Sequence, residues 1–317
     1  MDKIKRTAVV ALGGNAITNP DEDDTIANQF SHTRQSLAGI IELIKKDYNL
    51  AITHGNGPQV GNALFRVENA YPKVPMIPLG VLVADTQGSI GYMIEQSLQN
   101  ALKLEGIERE VVTIVTQVLV DKNDPSLKNP TKFVGQFFPK EEAKLQAKKH
   151  DWNVKDAGNK GWRRVVGSPY PLSIINSAAI KRLVDSGMIV IASGGGGIPV
   201  YLEDDGRLEG VDAVIDKDRA AAIMGADIGA QELIILTNVE KVFIDFGMLT
   251  EKSLDSMTVS QAKFYLEQGQ FPAGSMGPKI DAAVSFLEHG GEKVIISSLT
   301  KVLEALHGEA GTLIVPG

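Results

Sequence analysis

Short apolar runs alternate along the chain with stretches whose apolar residues recur every three or four positions. Thr7 to Leu12 and Leu50 to Thr53 are apolar, β-rich runs of strand length. Between them, Ile26, Phe30, Thr33, Leu37, Ile40, Ile41 and Ile44 fall on one face of a predicted helix. Pro58 suits the first turn of another helix, where a missing N–H costs nothing. Pro78 to Leu104 reads as a long helix interrupted at Gly88 and Gly91, and Val111 to Val120 as one broad strand. Leu172 to Val184 reads as a helix with Ile175, Ala179 and Leu183 inward and Gly187 just past its end. Met188 to Ala192 is a predicted strand, Asp218 to about Met224 a helix, and Glu232 to Thr237 a strand. Val242 to Ile244 gives a short strand and Thr258 to Gln268 a helix. Gly277-Pro278 opens a helix with Ile280, Ala283, Val284 and Leu287 inward, and Lys293 to Ser297 and Thr312 to Val315 are the last strands. Strands alternating with helices predict an α/β fold with a mostly parallel sheet covered on both faces.

Asp121 to Val165 breaks the alternation. It is rich in Lys, Asn, Pro and Gly, has weak apolar periodicity, and holds Trp152 and Trp162 as isolated anchors. A structureless loop of that length is unusual in a compact domain, so an inserted subdomain or lid is expected.

Composition narrows the function. Hydrophobic residues make up 43% of the 317, charged residues 22%, and the net charge is −7. An acidic chain without a long basic run argues against nucleic acid as a partner. The absence of cysteine excludes disulfides, thiolate metal sites and cysteine catalysis. Lys3, Lys5 and Arg6 before Ala8 to Leu12 mimic a signal peptide, but Gly13-Gly14-Asn15 ends the apolar run too early. No apolar run approaches a membrane span. A cytoplasmic protein without a membrane partner is expected.

The candidate chemistry lies where strands end. Gly13-Gly14-Asn15, His54-Gly55-Asn56-Gly57, Gly194 to Gly197 and Thr237-Asn238 each follow a predicted strand. In open α/β sheets ligands bind beyond the carboxyl ends of the strands. Several glycine turns on that edge, with exposed backbone N–H groups, predict a phosphate or anion cleft. Neither a dinucleotide fingerprint nor a G-x-x-x-x-G-K-[ST] loop occurs, which weighs against hydride transfer and P-loop chemistry. The candidate charges are Lys132, Lys217 between Asp216 and Asp218, and Lys279 after Gly274-Ser275-Met276-Gly277-Pro278. Lys279 falls at a helix start, where the dipole disfavours a cation, so an anionic ligand is expected beside it. The blander alternatives are a flexible glycine turn, a surface ion cluster and a solvated lysine. His54 reads as a hydrogen-bonded structural residue rather than a base. His32, His150, His289 and His307 show no paired spacing for zinc.

Taken in order, Val10-Ala11-Leu12-Gly13-Gly14-Asn15-Ala16, His54-Gly55-Asn56-Gly57-Pro58-Gln59-Val60-Gly61, Thr86-Gln87-Gly88-Ser89-Ile90-Gly91-Tyr92, Gly194 to Val200, Val214-Ile215-Asp216-Lys217-Asp218 and Gly274 to Lys279 resemble the carbamate kinase family across nearly the whole chain. The resemblance implies an open three-layer αβα sandwich of the amino-acid kinase type with a protruding inserted subdomain. It implies an N-terminal lobe, residues 1–226, for carbamate or carbamoyl phosphate, including the insert at about 121–165. A C-terminal lobe, 227–317, would bind ATP or ADP. Gly13, Gly14, Asn15, Gly55, Asn56, Gly195 and Gly196 would cradle carbamate and the transferred phosphoryl group. Lys132, Lys217 and Lys279 would neutralise it, with Asp216 and Asp218 positioning lysine and metal, and Mg²⁺ carried on the nucleotide. Phe246 and Met276 would contact adenine, and Asn238 and Val239 would lie at the nucleotide site. A homodimer through the N-terminal lobe, ATP formation from carbamoyl phosphate and a link to arginine metabolism are further implications. Phe133 and Gln136 depart from the family pattern, standing where proline is usual, and Ala11 and Leu12 replace the lysine that aspartokinase and acetylglutamate kinase carry before the first glycine pair. The alternatives are another acyl-phosphate-forming kinase, a catalytically silent nucleotide or carbamoyl-phosphate sensor, and, more distantly, an NAD-dependent oxidoreductase.

Overall fold

The first strand of the chain lies inside the sheet rather than at its edge. The computed structural model describes residues 5–19, 21–272 and 274–317, so Lys3 lies outside the described residues. Strand β1 (Thr7–Leu12) is followed by helices α1 (Ile26–Ser36) and α2 (Ala38–Lys45), then β2 (Asn49–His54), α3 (Gly57–Ala70) and α4 (Leu79–Leu104). Next come β3 (Val111–Thr113), β4 (Gln117–Val120), α5 (Pro125–Lys128), β5 (Lys132–Phe138), α6 (Lys140–His150), β6 (Asn153–Asp156) and β7 (Trp162–Val166). They lead into β8 (Pro171–Ile174), α7 (Ser177–Asp185), β9 (Ile189–Ile191), β10 (Ile198–Leu202), β11 (Leu208–Gly210), α8 (Lys217–Ile228) and β12 (Glu232–Thr237). The chain closes with β13 (Val242–Ile244), β14 (Lys252–Leu254), β15 (Ser256–Thr258), α9 (Val259–Glu267), α10 (Met276–Glu288), β16 (Lys293–Ser298), α11 (Val302–Leu306) and β17 (Thr312–Val315).

The main sheet runs β15-β17-β16-β12-β1-β2-β9-β3, and every neighbouring pair is parallel except β16 with β17. Its inner strands read as unbroken apolar runs because both faces are covered. Alternate residues serve opposite faces. Val9, Ala11, Ala51, Leu233 and Ile235 pack toward α8 and α10, whereas Val10, Leu12, Ile52 and Leu236 pack toward α2 and α4. This is the expected αβα sandwich. A second sheet, β11-β10-β4-β8, stands beside it, and β5-β7-β6 form an antiparallel sheet backed by α6. That small sheet is the expected insert. With only three strands, it cannot show the periodicity of a deep core.

Four elements differ from the sequence expectation. The first predicted helix is two, α1 and α2, meeting at Leu37; Thr33 is buried as expected, but Ile26 is exposed and Gln29 is buried. Helix α4 runs unbroken through Gly88 and Gly91. Gly91 is there because the helix lies hard against β3: a Cβ would sit 2.2 Å from the Thr113 methyl carbon. The Val111–Val120 run is two strands in different sheets, β3 and β4. Leu172 to Ile174 belongs to β8, and α7 buries Ile180 and Val184 rather than Ala179 and Leu183. The end of α7 does follow expectation. Gly187 has φ +92°, and the Met188 N–H reaches back to the Leu183 carbonyl.

Candidate active site

Because β1, β2, β9 and β12 are parallel, their carboxyl ends share one edge, and the turns that follow them pack on each other. The Gly13 N–H donates to the Leu236 carbonyl and the Gly55 N–H to the Leu12 carbonyl, at 2.9 and 3.1 Å. A Cβ on Gly55 would stand 3.1 Å from the Gly14 nitrogen, so the first two turns touch backbone to backbone. Gly195 has φ +66°, and a Cβ there would overlap the Asn56 amide at 2.1 Å. Glycine is needed there for both conformation and space. Asn56 is buried and donates to the Thr86 hydroxyl of α4 at 2.9 Å. The backbone N–H groups of Gly14, Asn15 and Gly195 find no protein acceptor among the described residues. The arrangement is therefore a tight cradle of glycine turns with donors to spare.

Beside it runs a chain of alternating charge. Asp216 caps α8, accepting from the Asp218 and Arg219 N–H groups at 3.0 and 3.4 Å. Its other oxygen faces the Lys132 ammonium at 3.5 Å, across from the insert. Lys217 pairs with Asp218, and Lys279 reaches the second Asp218 oxygen at 2.8 Å. Asp216 thus contacts Lys132 and caps the helix, and acts on Lys217 through its charge rather than through a direct ion pair. Asp218, and not only a ligand, resolves the conflict of a cation near the start of α10. Asp218 is 2% exposed. Burial would raise its carboxyl, but the two ammoniums outweigh it and hold it down at about 2. Burial lowers the Lys217 ammonium, with Asp218 opposing the fall and Lys279 adding to it. Three cations and two carboxylates leave one net positive charge for an anion.

Burial also lowers the His54 imidazole, to about 4, with the Gly55 carbonyl opposing and Lys217 adding to the effect. Its Nδ1 lies 3.1 Å from that carbonyl, and its ring packs where a Cβ on Gly194 would stand. This agrees with a neutral structural residue. A cavity of about 590 Å³ between α3 and the insert is lined by Asn56, Gly61, Lys132, Gln136 and Arg163, among others. Asn15 and Asn238 line a cleft of about 540 Å³ at the ends of β1 and β12. Val239 is half-buried beside Asn238. Phe246 is 66% exposed, edge-on to Phe243, and Met276 begins α10 against the core. Among the described residues no three carboxylates or histidines gather to hold a metal, and both Asp218 oxygens face ammoniums. The donor set does not fit a protein-held metal.

Sequence reasoning gave no role to Thr86, Asp212 or Arg164. Thr86 stood within a recognised motif, and Asp212 stands four residues before Asp216. Arg164 carried no signal, because its partner is 48 residues away.

A phosphate-sized cradle and clustered lysines at the carboxyl edge of a parallel sheet define an anion-handling α/β protein. The model of the amino acid kinase family matches residues 6–298, and the chain belongs to that family. Within it, the chain falls with the carbamate kinases. It is 46% identical to the carbamate kinase of Pyrococcus furiosus, over 98% of this chain and 99% of that protein. It is also 46% identical to the carbamate kinase of Clostridium perfringens, over 97% and 99%. The structure of carbamate kinase from Giardia lamblia bound to AMP-PNP superposes with a TM-score of 0.93, at 37% identity over 99% of each chain.

Proposed function

We propose that the protein catalyses reversible phosphoryl transfer between ATP and carbamate, giving ADP and carbamoyl phosphate. The observation that carries this reading is the Lys132–Asp216–Lys217–Asp218–Lys279 charge chain beside the packed glycine turns. Carbamate is already an anion, so its oxygen needs no general base. A neutral, buried His54 agrees with chemistry that uses none. What remains is to bring one anion against another and to stabilise charge on the transferred group, which is positioning and electrostatics. In this reading Gly13, Gly14, Asn15, Gly55, Asn56, Gly195 and Gly196 hold carbamate and the phosphoryl oxygens. Lys132, Lys217 and Lys279 neutralise them, and Asp216 and Asp218 hold the lysines in place. Residues 1–226 serve carbamate, and 227–317 serve the nucleotide through Asn238, Val239, Phe246, Met276 and Lys279. Mg²⁺ would arrive on the nucleotide phosphates and supply charge neutralisation there. The ATP-forming direction, in the cytoplasm where ADP is available, is the proposed use.

Turnover of ATP with carbamate against a panel of amino-acid carboxylates tests the substrate. The reading expects carbamate alone to be phosphorylated; preference for a larger carboxylate would make the protein a different acyl-phosphate-forming kinase.

A further inference from the structure

Asp212 stands outside the charge chain, yet it joins three parts of the molecule. One carboxylate oxygen accepts the Leu79 N–H, the first of α4, at 3.1 Å. The other pairs with the Arg164 guanidinium of β7. Arg164 is 8% exposed, and its guanidinium lies 4.7 Å from the Trp152 ring centre, which in turn stacks on His150 at 4.8 Å. The arginine is therefore fixed in plane by an aromatic face and in register by one carboxylate. Immediately past β7, the Gly167 carbonyl accepts the Val214 N–H at 3.0 Å. The segment from Asp212 to Asp216 is thus tied to the exit of the insert at two points.

Strand β7 is the partner of β5. Val134 stands opposite Arg164 and Lys132 opposite Val166. A shift of β7 relative to the Asp212 segment is transmitted through that ladder to Lys132. Other side chains also fasten the insert, among them Gln136 to Glu68 of α3 at 3.0 Å, Lys122 to Asp204 at 2.6 Å and His150 edge-on to Tyr71. Gln136 lies on β5 with Lys132, so its contact fastens that strand to α3, whereas Arg164 with Asp212 fastens the insert to the segment that carries Asp216. We infer that Asp212 and Arg164 are positioning residues: their ion pair sets the insert on the Asp212–Asp216 segment so that Lys132 reaches Asp216 and the transferred group. The inference rests on the reading of Lys132 as a reacting-site lysine. A misplacement of ~1 Å distant from the chemistry can cost ~10²-fold in rate.

The test combines kinetics with hydrogen exchange on the full-length protein. Asp212→Asn keeps an oxygen for the Leu79 N–H and removes the charge that Arg164 needs. It should lower kcat for ATP formation from ADP and carbamoyl phosphate by roughly 10- to 10²-fold, with ADP affinity by calorimetry unchanged. Arg164→Lys, which keeps charge but not the planar fork, should fall between the variant and the parent. In a Lys132→Ala background, Asp212→Asn should cost no further turnover, because its effect passes through the lysine. An equal drop in both backgrounds, or an unchanged kcat in the single variant, overturns the inference. Amide exchange in residues 132–138 should be faster in Asp212→Asn while α8 keeps its protection; unchanged exchange in 132–138 also overturns it. A parent protein that formed no ATP would refute the functional reading instead, and the exchange result would still decide whether the pair sets the insert.

Discussion

Lys217 and Lys279 are far more enclosed than Lys132, and Asp218, paired with both, is the reason a cation can stay at Lys217. Removing one preorganised electrostatic group of this kind typically costs about 10²–10³ in rate. Lys217→Ala is expected to lose turnover on that scale while remaining folded, as steady-state kinetics beside circular dichroism will show. Near-normal turnover would make Lys217 a structural partner of Asp218 only. His54 gives a pH prediction. Its imidazole ordinarily titrates near 6.5 and is held at about 4 in the fold. Between those values the unfolded chain binds a proton that the folded chain refuses, so stability falls as the pH drops from about 6.5 to about 4. At 1.36 kcal/mol per unit the loss approaches about 3 kcal/mol. The Asp218 contribution, with its carboxyl depressed, is lost only below about 4, so the two windows separate. Urea titrations across this range should show the loss in the parent and a flatter acid limb in His54→Asn. These residues were legible because lysine, aspartate and glycine stood in recognisable order. Asp212 with Arg164 was not, since an ion pair between distant positions leaves no local pattern.

Helix α4 shows what an element hides from its sequence. Two glycines in a helical pattern suggested breaks, but each answers to its surroundings. Gly91 faces Thr113 at a distance no side chain tolerates, whereas a Cβ on Gly88 meets nothing within 4 Å. Gly91→Ala should therefore destabilise the protein by pushing α4 off β3. Gly88→Ala should leave stability unchanged or raise it by roughly 0.5–1 kcal/mol through helix propensity. Thermal unfolding of the two variants side by side checks the contrast, and equal effects would contradict it. The split of Val111–Val120 was hidden for a related reason. An apolar run does not state which sheet it joins, and the turn at Ile114 to Thr116 lacks glycine or proline. Where apolar runs ended at a glycine or asparagine turn, as in β1, β2 and β12, the strands agreed with the sequence to within about a residue at each end.

At the scale of the whole molecule, a mostly parallel sheet covered on both faces was legible from alternation, the αβα sandwich from the family resemblance, and the insert from the place where alternation failed. The order of strands was not, because pairing β1 between β2 and β12 is decided by crossovers and not by composition. Assembly is a further prediction at this scale. Val81 and Tyr92 on α4 and Phe65 on α3 are about half exposed, at 48%, 56% and 48%. An apolar face beyond what the core uses suits a homodimer through the N-terminal half. Light scattering at micromolar protein should give twice the chain mass, and Tyr92→Lys should shift it toward the monomer; a monomeric parent would contradict the proposal. The central claim is that these turns and lysines transfer a phosphoryl group between carbamate and nucleotide without a base. It is tested most directly by mixing the purified protein with ADP, Mg²⁺ and carbamoyl phosphate and following ATP in a coupled assay. The account predicts sustained ATP formation, one ATP per carbamoyl phosphate consumed; a folded protein that binds ADP yet forms no ATP would contradict it.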